Sequence, residues 1–151
     1  MSIPTHPKRR GEWVELQFMA RAASHGLTVC KPWGDSARYD FVLEHHPGDF
    51  CRVQVKSTTH MGDHFWTCKL PKVSYTQNDF DFLVVYVTPE DLWYIIPSAA
   101  IGGQTSILLL DPRLPRSKYQ RYLEAWQLLT KKPEPVPAYA GTRDVHSTKG
   151  R

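Results

Sequence analysis

The chain has 151 residues with 41% hydrophobic, 12% aromatic and 23% charged side chains and a formal net charge of +4, which indicates one globular domain and agrees with a polyanionic partner. No apolar run reaches the length of a membrane span and the N-terminus lacks the apolar segment of a secretory signal, so we expect a cytoplasmic protein with no membrane partner. Three cysteines without a C-x-x-C pair argue against a disulfide framework or a zinc ribbon.

Apolar periodicity and turn residues divide the chain into a helix, a run of strands and a second helix. Residues 1–10 are predicted to be a flexible basic N-terminus. A helix over 12–24 is predicted from apolar residues at three- and four-residue spacing, namely Leu16, Met19, Ala20 and Ala23. Strands are predicted over 27–30, 39–44, 50–58, 64–70, 80–88 and 92–97, with a short strand or extended segment over 106–110. A second helix is predicted over 116–130, and the Pro-rich basic tail over 133–151 is predicted to be disordered.

This order of elements predicts an α/β or α+β fold with a mixed central sheet flanked by helices, in one domain over 11–132. The near-continuous apolar run over 80–88 is typical of a strand that is covered on both faces. Only the short, breaker-rich turn 45–49 separates the strands 39–44 and 50–58, so these strands are predicted to form an antiparallel hairpin.

The register of this hairpin brings polar side chains together. Arg52, Gln54 and Lys56 share one face of the second strand, and a five-residue turn would place Asp40 roughly opposite Gln54. A carboxylate, an amide oxygen and an ammonium in this arrangement suit Mg²⁺, which activates water, while the lysine stabilises developing charge or positions the nucleophile. The alternative is an ordinary solvated strand face.

The first helix offers a second carboxylate. On a helical wheel Glu15 falls at the border of the apolar stripe, from which its side chain can reach the edge of the sheet, whereas Glu12 falls nearer the middle. Glu15 is therefore the better candidate for a metal ligand. The alternative is that it only stabilises the positive end of the helix dipole.

The ordered set Glu15, Asp40 and Gln54-Val55-Lys56 resembles the PD-(D/E)XK nuclease superfamily, and in particular its QxK branch, which includes an endonuclease encoded in a group I intron. The resemblance covers about residues 11–97. It implies a restriction-endonuclease-like αβββαβ core, a DNA substrate and hydrolysis of phosphodiester bonds with Mg²⁺, for which Mn²⁺ can substitute. It further implies that Glu15, Asp40 and Gln54 bind the metal together with the backbone carbonyl of Val55, and that Lys56 is the catalytic lysine.

Two departures from the family pattern bear on activity. Tyr39 precedes Asp40 where the family has proline, and Gln54 stands where an acid is usual, which removes one negative charge from the metal site. The first hypothesis is therefore a metal-dependent DNA endonuclease, and its alternative is a catalytically weak or inactive nucleic-acid-binding module on the same fold. A third class is a structural or toxin–antitoxin type of partner. A double-strand cut would require a homodimer or a homotetramer.

Other polar residues near the hairpin are candidates for contacting nucleic acid. A groove that follows the phosphate backbone is predicted to include Lys31, Arg38, Lys69 and Lys72. The hydroxyls of Ser57 and Thr58 either contact phosphate or fill the strand surface. His60, His64 and Cys68 have a spacing that suits zinc on a helix, but Gly62 and Asp63 interrupt the segment, so we do not predict a zinc site there.

Overall fold

The computed structural model of the protein describes residues 3–71, 75–76, 78–110 and 117–130, in which one α-helix is followed by a run of strands, as the sequence indicates. The helix α1 spans Pro7–Ser24. The strands are β1 (Thr28–Cys30), β2 (Phe41–His46), β3 (Asp49–Thr58), β4 (Phe65–Lys69), β5 (Phe82–Val87), β6 (Leu92–Pro97) and β7 (Ser106–Leu110). The predicted strands are therefore all confirmed, with shifts of one or two residues at most of their ends.

Five of these strands form a mixed sheet in the order β1-β2-β3-β5-β6, in which β3 and β5 are parallel and the other neighbours are antiparallel. A second, two-stranded antiparallel sheet consists of β4 and β7. The predicted hairpin of β2 and β3 is confirmed, with Glu44 opposite Phe50 and Phe41 opposite Val53. The Asp40 N–H donates to the Val53 carbonyl at 2.9 Å, which continues the ladder to the residue before β2.

Helix α1 begins at Pro7 and not at residue 12 as predicted, since proline suits the first helical position, where its missing N–H is not needed. Its buried residues are Val14, Phe18 and Ala22, at i, i+4 and i+8. The predicted stripe is therefore wrong in its phase, and Leu16 is 62% exposed. None of the helices in the described ranges is both long and apolar enough to cross a membrane.

The central sheet is buried on both faces. One face packs against α1 through a core that includes Phe18, Phe41, Val53 and Trp93. The opposite face packs against β4 and β7 through a second core that includes Leu83, Val85, Tyr94 and Ile107. Residues 83–87 of β5 are buried, which confirms the prediction of a doubly covered strand. The layer on the second face is therefore the β4–β7 pair, where the sequence led us to expect a helix.

The helix predicted over 116–130 is wrong. Within the described residues 117–130 the chain forms two 3₁₀ turns, Gln120–Tyr122 and Trp126–Leu128. Glu124 lies between them with a φ of 49°, which ends any continuous right-handed helix. Trp126 of this segment is nevertheless buried against α1. The tail over 133–151, with its predicted disorder, lies outside the described residues.

Candidate active site

The four side chains predicted to be catalytic meet in one cleft between α1 and the open end of the β2–β3 hairpin. The cleft has a volume of about 220 Å³. It is lined by Gly11, Val14, Glu15, Asp40, Gln54, Val55, Lys56 and Ser57. The sequence predicted this grouping from hairpin register and from the place of Glu15 at the border of an apolar stripe, and the structure brings all four residues together.

Local structure explains how each carboxylate reaches the cleft. Phe41 points into the core beneath α1, so Asp40, one residue earlier, points to the opposite face, where Gln54 lies across the ladder. Glu15 follows the buried Val14 on α1, and its side chain therefore emerges at the border of the packed face of the helix. The position predicted for Glu15 is thus obtained although the predicted apolar stripe was different.

Asp40 is the most tightly held group of the site. Its Oδ2 accepts hydrogen bonds from the Val55 N–H at 2.7 Å and from Gln54 Nε2 at 2.6 Å. Burial raises the pKa of Asp40 above its usual value of 3.8, the hydrogen bond from Val55 opposes this increase, and the negative charge of Glu15 adds to it. A cation bound beside the two carboxylates would reverse this electrostatic penalty.

Gln54 does not lie on a solvated strand face, because only 6% of the residue is exposed. Its Nε2 donates to Asp40 and, at the longer distance of 3.4 Å, to the Val55 carbonyl. The amide nitrogen is therefore satisfied within the protein, and the side-chain oxygen Oε1 is the atom left for a further partner. This pairing explains how a polar side chain is buried at the centre of a sheet without a large energetic cost.

The other two members of the polar row on β3 differ in their surroundings. Lys56 is half-buried in the cleft, where its positive charge acts to lower the pKa of Asp40, and in the part of the chain that the structure describes its ammonium has no hydrogen bond or ion pair. Arg52 instead donates from Nη2 to Asp81 Oδ1 at 3.1 Å and from Nη1 to the Asn78 carbonyl at 2.5 Å. The row therefore contains one structural cation and one cation free to act on a substrate.

The donor atoms of the cleft fit a hard divalent cation. The candidates are the carboxylate oxygens of Asp40 and Glu15, the amide oxygen of Gln54 and the backbone carbonyl of Val55, all of which are oxygen atoms. No group of three or more His, Cys, Asp or Glu residues that could hold a metal occurs within the described residues. A site with two acids and neutral oxygens suits an ion such as Mg²⁺, which keeps several of its waters.

Lys31 was predicted to contact nucleic acid, and the structure places it at the rim of the same cleft. Its Nζ lies 2.5 Å from Glu15 Oε2, and it also lies 5.6 Å from the centre of the Phe41 ring. This ion pair supplies a positive charge to Glu15 from within the protein. Lys31 must therefore yield at least part of this contact if Glu15 is to bind a metal or if Lys31 is to bind phosphate.

The remaining predicted nucleic-acid contacts divide into two groups. Ser57, Thr58 and Lys69 line a second cleft of about 310 Å³, which adjoins the first because Ser57 lines both. Arg38 is not in this cleft: its Nε lies 3.2 Å from Asp79 Oδ1, and its guanidinium carbon lies 5.6 Å from the centre of the Tyr75 ring. Lys72 lies outside the described residues.

Sequence reasoning missed Arg10, which also lines the second cleft. The run Lys8-Arg9-Arg10 was recognised as basic, but it was assigned to a flexible segment that precedes the helix. Because the helix begins at Pro7, Arg10 lies one turn before the buried Val14 and on the same side of α1. The proline was the signal that could have placed it, since proline is frequent at the first helical position.

Comparison with known proteins agrees with this geometry. A family model described as PD-(D/E)XK endonuclease matches residues 5–129. The solved structure of a bacterial homing endonuclease, I-Ssp6803I, superimposes with a TM-score of 0.72 at 30% sequence identity, covering 82% of this chain and 93% of that chain. No curated protein matches the chain significantly. The resemblance read from the sequence and the restriction-endonuclease-like fold are confirmed, and the chain belongs to the PD-(D/E)XK endonuclease family.

Proposed function

We propose that this nuclease is a metal-dependent DNA endonuclease that hydrolyses phosphodiester bonds with Mg²⁺, for which Mn²⁺ can substitute. The observation that carries the proposal is the meeting of Glu15, Asp40, Gln54 and Lys56 in one cleft with oxygen ligands and a free ammonium. Family membership supports nuclease chemistry, and the similar homing endonuclease supports DNA as the substrate. We further expect this nuclease to act in the cytoplasm.

The residues of the cleft have separate tasks in this mechanism. When bound, a divalent cation supplies positive charge at the reacting phosphate and makes water a better nucleophile near neutral pH. Asp40 offers Oδ1, because its Oδ2 already accepts two hydrogen bonds, and Glu15, Gln54 Oε1 and the Val55 carbonyl would complete the protein ligands. The Lys56 ammonium stabilises the negative charge that develops on the phosphate oxygens.

A second candidate function is a catalytically weak or inactive nucleic-acid-binding module, and Gln54 is the observation that favours it. A neutral amide in the place of an acid lowers the negative charge available to a cation. The amide also donates to Asp40 and so satisfies part of the carboxylate without any metal. Both effects weaken metal binding, and activity therefore depends on whether the remaining ligands suffice.

Cleavage of supercoiled plasmid with Mg²⁺, Mn²⁺ or a chelator tests these candidates. We expect cleavage with either metal and none with the chelator. Replacing Lys56 by alanine is expected to reduce the cleavage rate by about 100-fold or more, because one stabilising donor is lost from the transition state. The control Lys118→Ala removes an exposed lysine that packs over the Tyr119 ring and should cleave like the wild type.

The thermal unfolding midpoint of each variant is measured in parallel, so that loss of cleavage is separated from loss of fold. A folded wild-type protein that binds DNA but cleaves it with neither metal would establish the second candidate instead.

The form of the cleaved plasmid also indicates the oligomeric state. A linear product from one encounter would require two active sites, and hence a homodimer or homotetramer, whereas nicking alone requires one site.

A further inference from the structure

We propose that the second cleft binds the phosphate next to the one that is cleaved, and that Arg10 and Lys69 hold this phosphate between them. The cleft is lined by Arg10, Ser57, Thr58, Thr59, His60, Thr67 and Lys69. Its place beside the reacting phosphate rests on the proposed function, whereas its preference for phosphate rests on its own residues.

The charge of the second cleft favours an anionic ligand. Two cations line it, Arg10 from α1 and Lys69 at the end of β4, and none of the described residues around it carries a carboxylate. Neither cation takes part in an ion pair with another described residue. Two other clefts differ, because Glu15 and Asp40 line the first and Glu12 lines a third beside His6. An anion is therefore the ligand that this cleft fits, and hydroxyl groups beside the cations supply further donors.

The second cleft adjoins the first along β3. Lys56, which lines the first cleft, and Thr58, which lines the second, lie two residues apart on β3, a separation of about 7 Å along the strand. This separation is of the same order as the step from one phosphate to the next along a single nucleic acid strand. A strand whose reacting phosphate lies at Lys56 would bring its neighbouring phosphate into the second cleft, past the shared Ser57.

Hydrogen bonds hold the walls of the cleft in place before any ligand binds. Thr58 Oγ1 donates to the Thr67 carbonyl at 2.6 Å and accepts from the His60 N–H at 3.2 Å, so β3 is tied to β4 at this point. The hydroxyl proton of Thr58 is thereby used within the protein, and Ser57 and Thr59 are the better phosphate donors. The Arg10 N–H donates to the His6 carbonyl at 2.9 Å, which fixes the first turn of α1.

The test measures binding of a fluorescein-labelled duplex oligonucleotide by anisotropy, in a chelator and over a series of KCl concentrations. Loss of one phosphate contact makes the plot of log K against log salt less steep by about 0.9. The double variant Arg10→Gln/Lys69→Gln is expected to show this change, with each single variant between it and the wild type. The matched control is Arg21→Gln on the same helix, where Arg21 lies 3.7 Å from Asp91, and it should keep the wild-type slope.

Two results would overturn the proposal. A double variant with the slope of Arg21→Gln would mean that the cleft binds no phosphate, and a change near 1.8 would mean two separate phosphates. Because binding is measured without metal, the outcome is independent of cleavage. A wild type that never cleaves, with a double variant that loses one contact, would remove the proposed function and retain this site. If the wild type cleaves DNA and the double variant keeps the wild-type slope, the proposed function is retained and the phosphate site is removed.

Discussion

Gln54 donates its side-chain amide to the carboxylate of Asp40, with 2.6 Å between Nε2 and Oδ2. Gln54 stands where an acid is usual in the family pattern, whereas Asp40 is an acid that agrees with the pattern. An acid at residue 54 could not make this hydrogen bond while both groups are ionised. The glutamine therefore stabilises the site without metal, and under the proposed function we expect it to lower the affinity of the site for a cation.

The first prediction concerns Gln54→Glu. In a chelator at neutral pH, the free energy of unfolding is expected to fall by about 1–3 kcal/mol, because Asp40 loses a donor and gains a like charge at short distance. Added Mg²⁺ is expected to stabilise this variant more than the wild type, since the site then has a third carboxylate. Urea denaturation with and without Mg²⁺ measures both effects.

Gln54→Met is the matched control, because it removes the amide without adding charge. Its stability should be lower than that of the wild type and should respond to Mg²⁺ no more than the wild type does. The interpretation is contradicted if Gln54→Glu equals the wild type in the chelator, or if Mg²⁺ stabilises the glutamate and methionine variants equally.

The second prediction follows from the raised pKa of Asp40, which burial causes first and the charge of Glu15 increases. In the window above pH 3.8 the folded protein retains a proton on Asp40 that the unfolded chain has lost. The free energy of unfolding must then fall as pH rises through this window, relative to Asp40→Asn, which has no carboxyl group to titrate. The difference should level off above the folded-state pKa.

Urea denaturation of the wild type and Asp40→Asn across this pH range provides the measurement. Saturating Mg²⁺ should reduce the fall in the wild type, because a cation favours the charged carboxylate. Parallel pH profiles of the two proteins in the chelator would show that Asp40 has the same pKa in the folded and unfolded states, and the expected electrostatic penalty would then be absent.

The site was predictable from the sequence where short-range geometry determines it. The turn between β2 and β3 is short, so it fixes the register and thereby places Asp40 beside Gln54. Strand type and approximate strand ends also followed from alternation and breakers. The buried face of α1 did not follow in this way, because its alanines Ala20, Ala22 and Ala23 lie on several sides of the helix and do not mark one buried stripe.

The remaining errors depend on contacts between distant parts of the chain. An apolar spacing typical of a helix is equally compatible with two 3₁₀ turns, and the choice over 117–130 depends on how Glu124 bonds to Trp93 on β6. The partners of charged side chains are also non-local. Arg38 pairs with Asp79, which lies 41 positions later in the chain, and this pairing cannot be read from residues nearby in sequence.

The third prediction distinguishes Arg52 on β3, which has a structural role, from Lys56, to which the proposed function gives the catalytic role. Asp81 Oδ2 accepts the Arg52 N–H at 2.7 Å, where β3 and β5 begin their parallel pairing, so Asp81→Ala is expected to lower the free energy of unfolding by about 1–3 kcal/mol. Arg52→Met should cost only about 0.2–1 kcal/mol, because the Arg52 and Asp81 side chains are 35% and 41% exposed.

Chemical denaturation measures these losses, and DNA binding provides an independent control. Arg52→Met should leave the salt dependence of DNA binding unchanged, since its guanidinium is engaged by Asp81 and the Asn78 carbonyl. A less steep salt dependence in Arg52→Met would assign Arg52 to the DNA-binding surface and would contradict its structural role.

The fourth prediction concerns Glu124, whose hydrogen bonds to Trp93 connect the segment 117–130 to β6. Its Oε1 accepts the Trp93 N–H at 2.7 Å and its Oε2 accepts the Trp126 indole N–H at 2.8 Å, while its own φ of 49° is unfavourable for a residue with a Cβ. Glu124→Ala is expected to lower the free energy of unfolding by about 2–3 kcal/mol through the lost acceptors. Glu124→Gly loses the same acceptors but relieves the backbone, so it should be the less destabilised of the two. Urea denaturation followed by tryptophan fluorescence measures the order, and a glycine variant less stable than the alanine variant would contradict the role assigned to the backbone.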